Sequence, residues 1–177
     1  MFFCCNSAEV QSREIWDADT LMYVMDICKD ERLKLAINLS FSASLRIGEV
    51  LGLTWDCPDI SEEAIAENRA CHTVNKELQL VSKSVIKTLD GKDIVREFPS
   101  HKKKGKSILV VKLPKIGSSI RTVYLPESLA RMLVEYKHRQ DELKEFYEGE
   151  YTDYNLVICT DSGSPFSQNQ IMKRFKS

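Results

Sequence analysis

Two cations in this sequence stand where the residues around them demand a use for the charge. Arg46 lies where a serine-containing turn enters a helix, between Leu45 and Ile47. A guanidinium flanked by apolar side chains has to direct its charge at a partner, and its planar fork matches two oxygens of one phosphate or carboxylate. Glu49 follows three residues later on the same helical face, placed to hold the arginine. The second cation, Lys115, sits in a run of turn residues, Pro114-Lys115-Ile116-Gly117-Ser118-Ser119, between two β-rich segments, the second of which carries Arg121. Taken alone, each has an ordinary explanation: a structural Arg–Glu pair with glycine for close packing, and a solvated turn lysine.

Helical and extended segments alternate around these residues. Asp17 or Asp19 can cap a helix carrying Leu21, Met22, Val24, Met25 and Cys28 at helical spacing. A second helix starts near Asp30 with Leu33, Leu35, Ile37, Leu39 and Phe41, and Ser42-Ala43-Ser44 ends it. A third spans residues 47–53, and the three are expected to form one layer over a shared core. Residues 75–84 and 85–98 read as strands joined by an Asp90-Gly91 hairpin turn, followed by a basic loop over 99–106. Residues 107–113 and 120–125 read as a second hairpin with Lys115 at its tip. Pro126 opens a helix running to about Phe146 with Leu129, Met132, Leu133 and Tyr136 on one face. Residues 155–160 are a short buried extended segment, 161–165 a turn, and Ser167 caps a last helix. The fold class is α+β, mainly helical with a small antiparallel β-sheet. Residues 1–16 read as a linker remnant and 17–177 as one domain, with 84–106 a basic hairpin or loop insertion.

Of the 177 residues, 43% are hydrophobic and 29% charged, which excludes a disordered chain. No apolar run approaches the roughly 18 residues of a membrane span, and the start lacks a signal-peptide pattern, so a cytoplasmic, non-membrane protein is expected. The formal net charge of −1 hides an asymmetry. Between Lys83 and Arg121 stand eleven Lys or Arg against three acids, giving +8 there and −9 elsewhere. Such a stretch is an electrostatic footprint for phosphates or a solvated lysine-rich loop. The six cysteines contain no Cys-x-x-Cys pair and read as reduced, packed thiols. Cys57, Cys71 and His72 lack zinc-site spacing, so no metal is expected.

The string Leu45-Arg46-Ile47-Gly48-Glu49-Val50-Leu51-Gly52-Leu53-Thr54-Trp55 resembles the first catalytic box of the tyrosine recombinase (phage integrase) family, Gly-Leu-Arg-x-Gly-Glu-x-x-x-Leu-x-Trp. Leu45, Arg46, Gly48, Glu49, Leu53 and Trp55 match, while Ser44 stands where glycine is usual. The segment from Leu113 to Pro126 resembles the family's lysine-bearing β-hairpin, which opens Pro-Lys-Thr and closes Arg-x-Val-Pro-Leu. Ile116 and Tyr124 depart from it. A weaker match runs from Leu156 through Gly163 to Pro165, a packing and turn feature.

The resemblance implies the DNA breaking-rejoining (tyrosine recombinase catalytic) fold, cut short, and a site-specific recombinase or integrase of a phage or mobile element. It cuts one strand through a 3′-phosphotyrosine with no cofactor. Arg46 is then the clamp on the scissile phosphate, Glu49 its support, and Lys115 the general acid reaching a DNA groove from a hairpin tip. Arg121, Lys102, Lys103, Lys104 and Lys106 are expected on the DNA backbone. The partner implied is double-stranded DNA, with self-association on DNA in the intact protein. The family also uses a His-x-x-Arg box and a nucleophilic tyrosine after the Gly-x-Pro segment. None of the three histidines has an arginine three residues on, and all six tyrosines lie before that segment. The chain is therefore expected to be an amino-terminal portion of a catalytic domain, inactive alone. A non-catalytic DNA-binding remnant of a decayed integrase and an unrelated α+β domain stay open beside that reading.

Overall fold

A computed structural model describes residues 16–88, 91–99, 105–114 and 119–175. In chain order the elements are α1 (Ala18–Ile27), α2 (Glu31–Ser42), α3 (Ile47–Leu51), β1 (Pro58–Asp59), α4 (Glu62–Ala66), β2 (Cys71–Val74), β3 (Glu77–Ser82) and α5 (Lys83–Thr88). Then follow β4 (Ile94–Glu97), β5 (Ser107–Lys112), β6 (Arg121–Tyr124), α6 (Glu127–Tyr147), a 3-10 turn (Glu148–Glu150) and α7 (Gln168–Phe175). Caps fix the first helices where the acidic residues suggested. Asp17 accepts from the Thr20 N–H, and Asp30 from the N–H groups of Arg32 and Leu33.

The core sits between α2, α3 and α6, with Leu35, Leu39, Val50, Leu51, Leu129, Leu133 and the passing segment Val157-Ile158 fully buried. Gln140 is the one buried polar side chain on α6. Its amide donates to the Leu156 carbonyl at 3.0 Å and its oxygen accepts from the Trp55 indole N–H, so it ties α6 to the segment after α3. α1 departs from expectation, since none of its ten residues is buried and Met22, Tyr23 and Ile27 are exposed. α2 already turns its apolar face to α3 and α6, so α1 reaches only the rim, through Leu21 and Cys28.

The strands form two antiparallel three-stranded sheets, ordered β1-β2-β6 and β3-β5-β4. This corrects both predicted hairpins. Residues 83–88 are the helix α5, and β4 pairs with β5 rather than with β3. Gly91 does take the left-handed φ of +67°, but its turn leads from α5 to β4. β5 in turn has both edges filled, by β3 and β4, so no edge is left for β6, which pairs with β2 instead. The ends of residues 113–120 are nonetheless neighbours. Arg121 faces Val74 at the end of β2, and Lys112 faces Glu77 at the start of β3, three positions further along the chain. The segment containing Lys115 is thus anchored where the two sheets part; Lys115 itself, like Lys102, Lys103, Lys104 and the tip at Asp90, lies outside the described residues.

Candidate active site

Glu49 is the hub of the site. It projects from α3 with its side chain 8% exposed, and accepts four hydrogen bonds. Its Oε2 takes the Arg46 backbone N–H at 2.9 Å, closing the first turn of the helix, and its Oε1 meets Arg46 Nη1 at 3.4 Å. The tighter partner is Arg121, reaching across from β6: Nη1 to Oε1 is 2.9 Å and Nη2 to Oε2 is 2.8 Å, a two-pronged pair. The Arg121 guanidinium therefore holds the Glu49 carboxyl below the usual carboxylate range, against the opposing effect of burial. Among the described residues, the Arg46 side chain keeps one long, weak bond and is 79% exposed. Its fork is free to receive an anion while its backbone is pinned. The predicted Arg46–Glu49 contact exists, and Arg121 completes it.

Two local features seat this hub. Ser44, where the recombinase pattern has glycine, adopts φ +52°, the left-handed region that favours a residue without Cβ. Gly52 and Gly48 let α3 lie against the β3 backbone. A Cβ at Gly52 would stand 2.6 Å from Leu78 N and 2.8 Å from the Glu77 carbonyl carbon, and one at Gly48 3.3 Å from Leu78 O. A cleft of about 340 Å³ opens beside Arg46, lined also by Gly48, Glu77, Gln79, Ser167 and Asn169. Ser167, which lines it, and Gln170 cap α7 reciprocally: Ser167 Oγ accepts from the Gln170 N–H, and Gln170 Oε1 from the Ser167 N–H.

Lys112 pairs with Glu77 at 3.0 Å and is largely covered, so it is spent inside the sheet. Lys106 is exposed at the start of β5. Lys76, which sequence reasoning did not single out, donates to Thr54 and Asp56 at 2.7 Å each. Burial works against the charge of Asp56, yet the bonds from Lys76 and Thr54 hold its carboxyl down at about 2. His72 is 2% exposed on β2, and its Nδ1 meets no hydrogen-bond partner among the described residues. Burial first, and then the Arg121 charge, push its imidazole down to about 4. Cys57 Sγ is taken up by hydrogen-bond contacts with Thr54, Asn75 and Lys76.

No family model matches the chain. The chain is 27% identical over 166 residues to a tyrosine recombinase XerC-like protein of Caldanaerobacter subterraneus subsp. tengcongensis, covering 92% of this chain and 37% of that protein. Among solved structures it superposes on the Tn1549 transposon integrase in complex with a circular intermediate DNA, with a TM-score of 0.61 at 13% identity, over 96% of this chain and 47% of the other. A second structure of that integrase, with transposon right end DNA, gives 0.54 at 15% identity, over 88% and 42%. The chain thus spans little more than a third of the curated relative and less than half of each solved chain. At these identities the structures speak to fold alone, and the fold they share is the one the Arg46 box and the Lys115 segment implied. The chain is thus homologous to a tyrosine recombinase XerC-like protein over most of its own length, and it shares the fold of the Tn1549 integrase structures.

Proposed function

We propose that the chain is part of a site-specific DNA recombinase or integrase of a mobile element, acting on double-stranded DNA and self-associating there in the intact protein. The observation that carries this is the exposed guanidinium of Arg46 above a buried, doubly anchored Glu49. Such a fork grips two oxygens of the scissile phosphate and stabilises the charge that builds there when a tyrosine attacks. As the tyrosine oxygen bonds to phosphorus, the bond to the 5′ oxygen breaks, and Lys115 gives that oxygen its proton. Lys102, Lys103, Lys104 and Lys106 steer and hold the duplex through its backbone. The reaction needs a nucleophile and further cations, and no His-x-x-Arg string occurs in these 177 residues. The isolated chain is accordingly a DNA-binding piece of the enzyme, unable to cleave alone.

The test uses the polypeptide encoded by the natural reading frame extended past Ser177, with a nicked duplex that traps the covalent intermediate. A protein–DNA adduct that disappears in Arg46→Ala and is strongly reduced in Lys115→Ala supports the proposal. A stop codon directly after Ser177 favours the non-catalytic remnant. An extended protein whose adduct is indifferent to Arg46 refutes the assignment.

A further inference from the structure

We propose that Arg121 is a positioning residue that acts on DNA only through Glu49 and Arg46, rather than a ligand of the DNA backbone. The inference rests on the phosphate-site reading of Arg46 given above and extends it to a residue 72 positions away in sequence.

The geometry assigns each oxygen of Glu49 twice. Oε1 accepts from Arg121 Nη1 and Arg46 Nη1, and Oε2 from Arg121 Nη2 and the Arg46 backbone N–H. A carboxylate gripped through both oxygens by a planar guanidinium cannot swing about its own terminal bond. That fixes Oε2 under the Arg46 N–H, and so fixes where the Arg46 side chain leaves the helix. Arg121 is itself fixed, because β6 pairs with β2 on the other side of the site and places Arg121 opposite the buried Val74. The two prongs directed at Glu49 are the same donors that a phosphate would need, so an Arg121 in this pose has little left to offer DNA. A lysine keeps the charge but has no fork, so it cannot span both oxygens. Chain connectivity gives the pair a second consequence. Arg121 closes the segment that holds Lys115, so the bond to Glu49 tethers one end of that segment to the Arg46 helix.

The test is a set of duplex-binding titrations against salt with this chain and its Arg121→Lys, Arg121→Gln, Arg46→Ala and Arg46→Ala/Arg121→Gln variants, alongside amide hydrogen exchange at Arg46. If Arg121 works through Glu49, Arg121→Lys weakens binding nearly as much as Arg121→Gln, by about tenfold, the size of one lost charge-assisted contact. Arg121→Gln then adds less than twofold in the Arg46→Ala background, and the Arg46 amide exchanges faster in both single Arg121 variants. A backbone ligand gives the opposite pattern. Arg121→Lys binds like the parent, Arg121→Gln lowers the salt slope by about 0.9 in both backgrounds, and Arg46 exchange is unchanged. That pattern overturns the proposal. Should Arg121→Gln unfold, Arg121→Lys and the exchange measurement carry the decision. Should the parent show no salt-dependent duplex binding, the phosphate-site reading fails, while unchanged Arg46 exchange in Arg121→Lys would separately refute the coupling.

Discussion

Gly52→Ala should be far more damaging than a single added methyl group suggests. Gly52 lies at the carboxyl end of α3 with φ −90°, a conformation open to any residue, so nothing in its own backbone requires glycine. The requirement comes from across the interface. An added Cβ would meet Leu78 N at 2.6 Å, and the Glu77 carbonyl carbon and Cα at 2.8 and 2.9 Å, where ordinary contact is 3.4–4 Å. All three atoms are backbone of β3, held in register with β5, and cannot rotate away. Relief needs α3 to retreat from β3 by something near 1 Å. Overpacking of this kind costs roughly 1–3 kcal/mol, and the smaller backbone entropy of alanine returns about 0.4–1 kcal/mol. The net expectation is a loss of roughly 1–2 kcal/mol. Gly48→Ala is the internal control, because its nearest contact is 3.3 Å and helix propensity gains about 1 kcal/mol. Urea denaturation of the three proteins decides it: Gly52→Ala well below the parent, Gly48→Ala within about 1 kcal/mol of it. Equal stability for Gly52→Ala and parent would show that α3 does not rest on the β3 backbone, and the account of how Arg46 and Glu49 are seated would fall with it.

Three further outcomes concern His72, Ser44 and Gln140. His72 is neutral when buried, with its folded value at about 4 against 6.5 when exposed. Its contribution is therefore complete above pH 6.5 and lost as pH falls toward 4, at most about 3 kcal/mol. His72→Phe should flatten that part of the stability–pH curve relative to the parent, and an unchanged curve between pH 6.5 and 4 would refute it. Ser44→Gly should raise the denaturation midpoint by the equivalent of about 0.5–1 kcal/mol, since glycine removes the strain at φ +52°, while Ser44→Val should lower it. Gln140→Leu should cost about 1–3 kcal/mol by stranding the buried Leu156 carbonyl and the Trp55 indole N–H, measurable by urea melts; a variant as stable as the parent would show that water replaces both bonds.

How far the sequence spoke for the fold depended on how local the information was. Asp17, Asp30, Ser167 and Pro126 mark helix starts through bonds or dihedrals within a few residues, and each stands at the start of its helix. Glu49 was legible for the same reason, three residues from Arg46. The strand partners were not. Asp90-Gly91 has the composition of a hairpin turn, and Val85 and Ile86 read as β-formers, but 83–88 is a short helix with none of its residues buried, and β5 takes its two partners from upstream. β2 is only four residues long, too short for alternation to announce it. The Arg121–Glu49 pair joins residues 72 apart in different sheet and helix layers, and no local pattern marks it. Strand parity held a partial clue, because Arg121 and Val123 share one face of β6 opposite the buried faces of Val74 and His72.

The central claim is that Arg46 presents a free guanidinium to a phosphate while Glu49 holds its backbone, and duplex binding measured against salt tests it most directly. For the 177-residue chain and its Arg46→Ala variant, log Kd is followed as a function of log salt concentration on one duplex. Loss of one phosphate contact predicts weaker binding and a slope smaller in magnitude by about 0.9. Matching affinities and slopes for the two proteins would contradict the account.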